Sequence, residues 1–398
     1  MSKRLLLVMF LVGYAASTCA VAQTTCGNTK LVCLLPTAFH TNALTFNFFN
    51  EAFATQVAQL PLATPASSFI LVLKNGVPTP AQETFGPLAA ERFETIGKGT
   101  FYLAFTYQRS VFREIDGNSL GDLPILFSFP TQQNPSVVTY TQNKVSVNVN
   151  QYVAYGTYGV TPRFDVSVAI PFLRISMGVF TNGTEYSTTS PATASFTQNI
   201  PGAASGIGDV IFAGKGVVWK KHRYGISVGG ELRIPSGDEQ NFLGSGAVGI
   251  KPYVVLTRSG RVAPHVNLAY QWNGQSALEV GSNGKETNLP GYFGYILGAD
   301  AAITKRITVA ADFVGEHFLG AAQVSNQGIV PAMVNNQEVL FDTIVQHNGL
   351  YNFNYFAIGM KANLWKYMIL QANVDIKASD GGLRATAIPY VGLSYSFR

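Results

Sequence analysis

Residues 206–237 read GIGDVIFAGKGVVWKKHRYGISVGGELRIPSG, and they decide the fold class. The second half alternates between an apolar side and a polar side: Tyr224, Ile226, Val228, Leu232 and Ile234 against Ser227, Gly229, Glu231 and Arg233. A segment of about 10 to 12 residues with one apolar and one polar face fits a tilted strand that crosses a membrane. The apolar face would contact lipid outside the barrel, and the polar face would contact water inside it. Strands of soluble sandwiches are usually about half that long. The stretch therefore predicts a membrane-spanning β-hairpin.

The composition favours strands over helices as the membrane-spanning elements. The chain has 398 residues, of which 47% are hydrophobic and 12% are charged. Beyond the N-terminus, no apolar run reaches the roughly 18 residues that a helical span needs. A length of this size fits two or three soluble domains, but it also fits one large barrel. We therefore favour a single barrel whose outer face lies in lipid.

The N-terminus has the pattern of a secretory signal peptide over residues 1–22. Lys3 and Arg4 precede an apolar core, and Ala20, Val21 and Ala22 form a small-residue cleavage site. A lipoprotein anchored at Cys19 is the alternative, but the residues before it lack the usual pattern. Loss of the two cationic residues lowers the formal net charge from +5 to +3. This mild charge predicts no nucleic-acid partner.

Cys26 and Cys33 are the two cysteines that remain after the signal peptide. In an oxidising periplasm their spacing favours a small disulfide loop, with free thiols or an interchain bond as alternatives. His40 is the only further ligand nearby, so neither a metal nor a cofactor is predicted.

Residues 23–97 are predicted to form an N-terminal extension, partly helical, that is separate from the barrel wall. Apolar residues recur at helical spacing from Asn42 to Leu60, and residues 69–73 precede an Asn-Gly turn. Pro78, Pro80 and Pro87 disfavour a long central strand. Two interpretations are open: a helix packed against the barrel or lying at the membrane surface, or a plug that enters the lumen.

Residues 98–398 are predicted to form a transmembrane antiparallel up-and-down β-barrel, which makes the protein all-β. About twelve strands alternate between tight turns and long polar loops: 98–109, 143–160, 163–176, 208–220, 223–235, 247–258, 261–273, 291–303, 306–317, 349–364, 367–378 and 385–397. The long loops are predicted at roughly 110–142, 177–207, 236–246, 274–290 and 318–348, with a shorter one near 379–384. Short turns on one rim and long loops on the other are typical of outer-membrane barrels, and an even strand number brings both termini to the periplasmic side.

Ionisable residues on the polar faces are the candidates for lining the lumen: Lys215, Glu231, Arg233, Lys251, His265, Asp312, Asp375 and Lys377. Charges on the lipid side cost about 2–4 kcal/mol at mid-membrane, so a stable barrel turns them inward. They could fill a narrow lumen as an interstrand network, or a subset could set the selectivity of a solute path.

No sequence motif predicts catalysis. The chain has neither a G-x-S-x-G elbow nor an H-E-x-x-H helix, and Asp312 cannot be paired with a histidine from the sequence alone. Asp238, Glu239 and Asn241 could bind calcium weakly, but their surroundings suit a turn better. We therefore predict that the protein is not an enzyme.

Four stretches carry a resemblance to a known family: GIGDV at 206–210 with Lys215, LRIPSGDEQNFLGSG at 232–246, GIKPY at 249–253 and PHVNLAYQWN at 264–273. Through them the chain, over roughly residues 98–398, resembles outer-membrane β-barrels assigned to transport in the meta-pathway of phenol degradation. That family is distantly similar to fatty-acid and hydrocarbon channels. Ser236 departs from the threonine expected there. The resemblance implies a barrel and a transport role, but no set of substrate-binding residues.

The leading hypothesis is an outer-membrane channel of a Gram-negative-type bacterium for passive uptake of small apolar or aromatic molecules. Its predicted partners are outer-membrane lipid, a small-molecule solute and the outer-membrane assembly machinery, which the aromatic Phe397 of the last strand would address although Arg398 follows it. We expect a monomer. A structural or surface-binding barrel that acts through its long loops is the alternative, and an outer-membrane hydrolase is a third.

Overall fold

The computed structural model describes residues 30–38, 56, 60, 71–74, 77–80, 83–128, 137–280, 285–365 and 367–397. The predicted signal peptide, Cys26 and His40 lie outside the described residues. Of the helix predicted between Asn42 and Leu60, only Gln56 and Leu60 are described. No helix in these ranges is long and apolar enough to cross a bilayer.

Twelve antiparallel strands form a closed barrel, as predicted. They are β1 (Phe101–Ile115), β2 (Val137–Thr161), β3 (Phe164–Ser187), β4 (Val210–Lys221), β5 (Tyr224–Ile234), β6 (Gly249–Arg258), β7 (Val262–Asn273), β8 (Gly291–Ala302), β9 (Ile307–Val334), β10 (Gln337–Trp365), β11 (Met368–Lys377) and β12 (Ala387–Phe397). Each strand pairs with its neighbour in sequence. The barrel closes because β1 also pairs with β12, from Gln108 opposite Tyr390 to Phe101 opposite Phe397.

The two rims of the barrel differ in the length of their connections. At one rim the strands are joined by residues 162–163, 222–223, 259–261 and 303–306, and β1 begins and β12 ends there. We call it the short-turn rim. The opposite, long-loop rim carries the connections that follow β1, β3, β5, β7, β9 and β11. By the usual arrangement of such barrels, the short-turn rim faces the periplasm.

The outer surface of the barrel carries a band of exposed apolar side chains of the kind that contacts lipid. On β5, Leu232 is 42% exposed while the adjacent Arg233, which points inward, is 7% exposed. Aromatic rings cluster outside at the short-turn rim, where Phe101 lies 4.6 Å from Tyr158 and 5.5 Å from Phe397 between ring centroids. A closed sheet with an outward apolar band and an aromatic girdle is an outer-membrane barrel.

The two-faced pattern inverts part-way along β2 and β3. Below the paired residues Tyr152 and Phe172, the outer face is apolar and exposed. Above them the outer face becomes polar, as at Ser146 and Arg174, while apolar side chains occupy the inner face. The buried inner residues are Val145, Val147, Val149, Leu173, Ile175, Met177 and Val179. The upper halves of these strands therefore stand in water and enclose an apolar interior.

Two of the long predicted loops, 177–207 and 318–348, are largely strands, which corrects the assignment made from sequence. Strand β3 continues to Ser187 and pairs with an additional strand, Thr193–Ile207, while β9 and β10 extend to Val334 and from Gln337 as one tall hairpin. The tips of these hairpins meet, because the Asn335 amide donates to the Ser187 carbonyl over 2.9 Å. These polar segments form strands because their backbones make cross-strand hydrogen bonds, and not because their side chains are buried.

Shorter elements complete the described fold. A hairpin predicted near residue 75 is present as Leu71–Lys74 paired with Val77–Pro80. A 3-10 turn (Leu31–Cys33) leads into helix α1 (Leu34–Ala38), and a second 3-10 turn spans Glu239–Asn241. The remaining strands are Asn118–Ser119, Leu123–Ser128, Gln275–Val280, Glu286–Asn288 and Leu383–Ala385.

Candidate solute site in the barrel lumen

The eight ionisable residues proposed from the sequence all lie on inward positions of their strands, and most have defined partners. Lys215 bonds Glu91, Lys251 bonds Glu231, His265 bonds Asp312, and Lys377 bonds Glu114 and Asp380. Arg233 donates to Asn273 over 2.7 Å, and Asp375 accepts from Asn373 over 3.0 Å. The structure thus brings together two pairs of these residues that the sequence had not matched as partners, Glu231 with Lys251 and His265 with Asp312. Asp375 and Lys377, although close in sequence, have separate partners.

A fully buried charged network lies close to the short-turn rim. The Nε2 atom of His265 is 2.7 Å from Asp312, and its Nδ1 atom is 3.5 Å from Asp300. Asp300 also bonds Arg92 over 2.6 Å. These four side chains are between 0% and 2% exposed. Because each buried charge has an opposite charge beside it, the network is tolerated inside the barrel.

Asp312 also holds the chain that precedes β1. One carboxylate oxygen accepts hydrogen bonds from the backbone amides of Leu88, Ala89 and Ala90, at 3.0, 2.7 and 3.4 Å. The Phe85 amide donates to the Thr308 hydroxyl on the same strand over 2.9 Å. A single strand therefore fixes six residues of this segment, 85–90, in the lumen.

Other strands hold the rest of residues 83–97, which we call the lower segment. Lys215 on β4 bonds Glu91 and the Arg92 carbonyl, both over 2.8 Å. Asp165 on β3 accepts from the Ile96 amide over 2.9 Å. The Phe93 ring occupies the space that Gly225 leaves on β5. Strands on several sides of the barrel thus anchor the lower segment across the lumen.

A second part of the N-terminal chain, residues 30–38, lies at the long-loop end of the interior. Leu31 and Leu34 pack into the space left by Gly202, within the apolar core formed by the upper halves of β2 and β3. Lys30 bonds Asp238 over 2.6 Å, and the Leu31 amide donates to Asn241 over 3.1 Å. Partial burial alone would raise the pKa of Asp238, but the hydrogen bonds from Lys30 and Asn241 lower it.

A cavity of about 190 Å³ lies in the lumen. Residues of the lower segment, Ala89 and Glu91, line it together with Leu60. Its walls combine tyrosines with charged groups: Tyr155, Tyr253, Tyr292, Tyr355, Asp165, Lys215, Glu231, Arg233, Lys251 and Glu316. The cavity is therefore large enough for a small organic molecule and offers both ring faces and polar groups.

One cavity carboxylate has no partner. Lys215 and Lys251 are paired with Glu91 and Glu231, but Glu316 neither accepts a hydrogen bond nor has a described lysine or arginine nitrogen within 4.0 Å. Its Oε2 atom is buried. An unpaired buried carboxylate is costly unless a ligand, water or proton satisfies it. Glu316 is therefore the residue of this site that most needs an explanation.

Sequence reasoning missed several residues that shape this site. Glu91 and Arg92 lie in a proline-rich segment without periodicity, so nothing in the sequence marked them as lumen residues. Asp300 lies inward on β8, where no polar face was assigned from the sequence, and Glu316 lies inward on β9 on the same face as Asp312. The sequence does not distinguish tyrosines that point into the lumen from tyrosines of the outer aromatic girdle, because the residue type is the same.

No metal site is found in the described part of the chain, where no three His, Cys, Asp or Glu residues are grouped to hold an ion. Asp238 and Asn241, considered as calcium ligands, bond Lys30 and each other instead. Cys33 is buried and disulfide-bonded. Because Cys26 lies outside the described residues, the pairing of Cys26 with Cys33 stays a prediction.

A protein family shares much of this barrel's sequence. Residues 128–307 match the family described as "Putative MetA-pathway of phenol degradation". Over these residues the chain is similar to this family. The match runs from Ser128, in the connection between β1 and β2, to Ile307, the first residue of β9, and it includes all four stretches that carried the resemblance. No curated protein sequence matches the chain.

Solved structures of outer-membrane barrels are also similar. An outer-membrane channel from Pseudomonas putida F1 is 12% identical, with a TM-score of 0.48 over 77% of this chain and 98% of that one. The toluene transporter TodX of P. putida is 8% identical, with a TM-score of 0.32 over 83% and 95% of the two chains. The NanC porin is 8% identical, with a TM-score of 0.36 over 73% and 98%. No property of this chain rests on these distant likenesses.

Proposed function

We propose that the protein is an outer-membrane channel for the passive uptake of small apolar or aromatic molecules. The observation that carries the proposal is the cavity of about 190 Å³ inside a closed membrane barrel, lined by four inward tyrosines. Ring faces and a few fixed polar groups are the usual lining of a small-molecule site. The match of residues 128–307 to a family described by phenol degradation agrees with aromatic solutes.

The N-terminal extension, residues 23–97, acts in this proposal as a plug. Its support is the set of bonds between the lower segment and Asp165, Lys215, Asp300 and Asp312 on the wall. The contacts of residues 30–38 with the apolar upper interior support a second closure at the other end. Passage of a solute then requires the lower segment to shift.

Flux measurements test the channel directly. Full-length protein in liposomes should admit radiolabelled toluene faster than protein-free liposomes do. In planar bilayers the full-length protein should conduct little, and a variant lacking residues 23–97 should conduct more. If neither protein passes solute or ions while both are folded, transport is wrong.

We propose that the protein works without catalysis, as a monomer placed in the outer membrane by the assembly machinery. His265 supports the first point, because its two ring nitrogens contact Asp312 and the Ala263 carbonyl and its side chain is fully buried. A histidine so enclosed has no access to a substrate. Replacing His265 and Asp312 should therefore remove no hydrolytic activity from purified protein.

Binding through the surface hairpins is the second candidate. Ile329 and Leu340, on the tall β9–β10 hairpin far above the membrane, are 65% and 60% exposed. Apolar side chains at a water-facing tip suit contact with another molecule. Shortening β9 and β10 to the height of the barrel should then abolish binding to cells or matrix while solute flux continues.

A further inference from the structure

Glu316 lies beside aromatic rings in the lumen. It is opposite Gly294 on β8 and Phe353 on β10. Because Gly294 has no side chain, the Tyr292 ring leans into that position, 3.2 Å from where a Cβ would be. Tyr355, two residues along β10 from Phe353, lines the same cavity. The unpaired carboxylate is therefore flanked by tyrosine rings on both neighbouring strands.

The nearby cations are engaged elsewhere. Lys251 bonds Glu231 over 2.7 Å. Arg384 stacks on the Phe353 ring, with its guanidinium carbon 3.7 Å from the ring centre, and lines a separate small cavity with Asp375. Neither lies within 4.0 Å of Glu316. A further positive charge can thus approach the Glu316 carboxylate from the cavity side.

From this arrangement we propose that the cavity binds a small protonated amine on an aromatic or apolar body, with Glu316 as the residue that selects it. The inference rests on the proposed channel function and names the solute class of the same cavity. The ammonium group would donate to Glu316, and the tyrosine faces attract a cation while packing against its apolar part. An organic carboxylate would meet an unpaired like charge and is disfavoured.

Binding of three matched probes tests the proposal. Benzylamine, benzyl alcohol and benzoate have the same ring but carry a cationic, a neutral and an anionic group. Calorimetric titration of folded full-length protein in detergent at neutral pH should show benzylamine binding about tenfold more tightly than benzyl alcohol, as one charge-assisted hydrogen bond provides. Benzoate should bind most weakly. Equal affinity for the amine and the alcohol would overturn the proposal.

Glu316→Gln tests the residue, with Glu185→Gln as the matched control on an exposed strand. The first variant should lose about tenfold in benzylamine affinity and leave benzyl alcohol nearly unchanged, while the control matches the parent for both. Tyr292→Leu should weaken benzylamine more than benzyl alcohol through loss of the ring face. If Glu316→Gln binds benzylamine like the parent, Glu316 is not the selecting residue.

Toluene flux separates the two proposals. Flux through the parent protein without any preference for the amine would refute only the solute class. Toluene flux no faster than in protein-free liposomes, for both the parent and the plug-deleted protein, would refute the channel, whatever the probes bind.

Discussion

At the residue scale, Asp312 joins the wall of the barrel to the lower segment. Its carboxylate accepts from His265 and from three consecutive backbone amides, and its side chain is fully buried. Asp312→Asn keeps the shape but removes the charge that compensates His265 and the amides. We expect a loss of about 3–5 kcal/mol in unfolding free energy, as for a broken buried pair. Bilayer conductance should rise as the lower segment loosens.

The measurement is denaturant unfolding of the protein in lipid vesicles, together with single-channel recording. Asp342→Asn is the control, since Asp342 is exposed on the tall hairpin. An Asp312→Asn variant as stable and as closed as the control would show that these hydrogen bonds do not hold the segment.

Gly225 gives a second prediction because the Phe93 ring occupies the place of its missing side chain. Gly225→Ala should therefore push Phe93 away, at a cost of about 1–3 kcal/mol for overpacking, and raise conductance. Gly230→Ala on the same strand should behave like the parent, since a Cβ there meets nothing within 4 Å. In a Phe93→Ala background, Gly225→Ala should cost no further unfolding free energy; a cost that persists there would argue against this contact.

The sequence predicted inward positions better than it predicted partners. Alternation alone placed Lys251 and Glu231 on polar faces, because neighbouring strands repeat the same period. It could not supply Glu91 or Arg92, since a segment without regular structure has no period from which to infer a direction. Glu316 was missed for a different reason, as it lies where polar and aromatic residues mix on β9.

At the scale of elements, the twelve strands followed from the two-faced pattern, and the tall hairpins did not. Residues 177–207 are rich in Ser, Thr, Gly and Asn, which is typical of loops. Residues 193–207 form a strand because they pair with β3 from Phe172 to Tyr186. Pairing of this kind depends on tertiary context, which local sequence does not encode.

The contact between Lys30 and Asp238 predicts a pH response in helix α1. Because the pKa of Asp238 is lowered in the folded state, its contribution to stability is present above the ordinary pKa of 3.8 and is lost as the pH falls through the lowered value. The protection of the residue 31–38 amides against hydrogen exchange, measured by mass spectrometry and corrected for the pH dependence of the intrinsic exchange rate, should therefore fall only in acid. Asp238→Asn should exchange faster already at neutral pH. If the protection of these amides in the parent protein does not change over this pH range, the contact between Lys30 and Asp238 does not stabilise helix α1.

At the scale of the whole molecule, the inversion at Tyr152 and Phe172 marks the upper limit of the lipid-facing surface. Leu103 lies below it on the outer face of β1, and Ser146 lies above it on β2. Leu103→Arg should cost about 2–4 kcal/mol in lipid, whereas Ser146→Arg should be nearly neutral. Unfolding of both variants in vesicles measures the difference, and equal costs would mean that the membrane boundary lies elsewhere.

The path of the N-terminal chain has a consequence for how the molecule is made. Residues 30–38 lie near one mouth, Gln56 and Leu60 are buried between, and the lower segment leaves by the other mouth to begin β1. A barrel whose lumen holds these described parts of its own N-terminal chain is most simply built by adding strands around them. We expect the hydrogen bonds between β1 and β12 to form last. Assembly of the barrel and closure of the pore by the N-terminal chain would then occur in the same step.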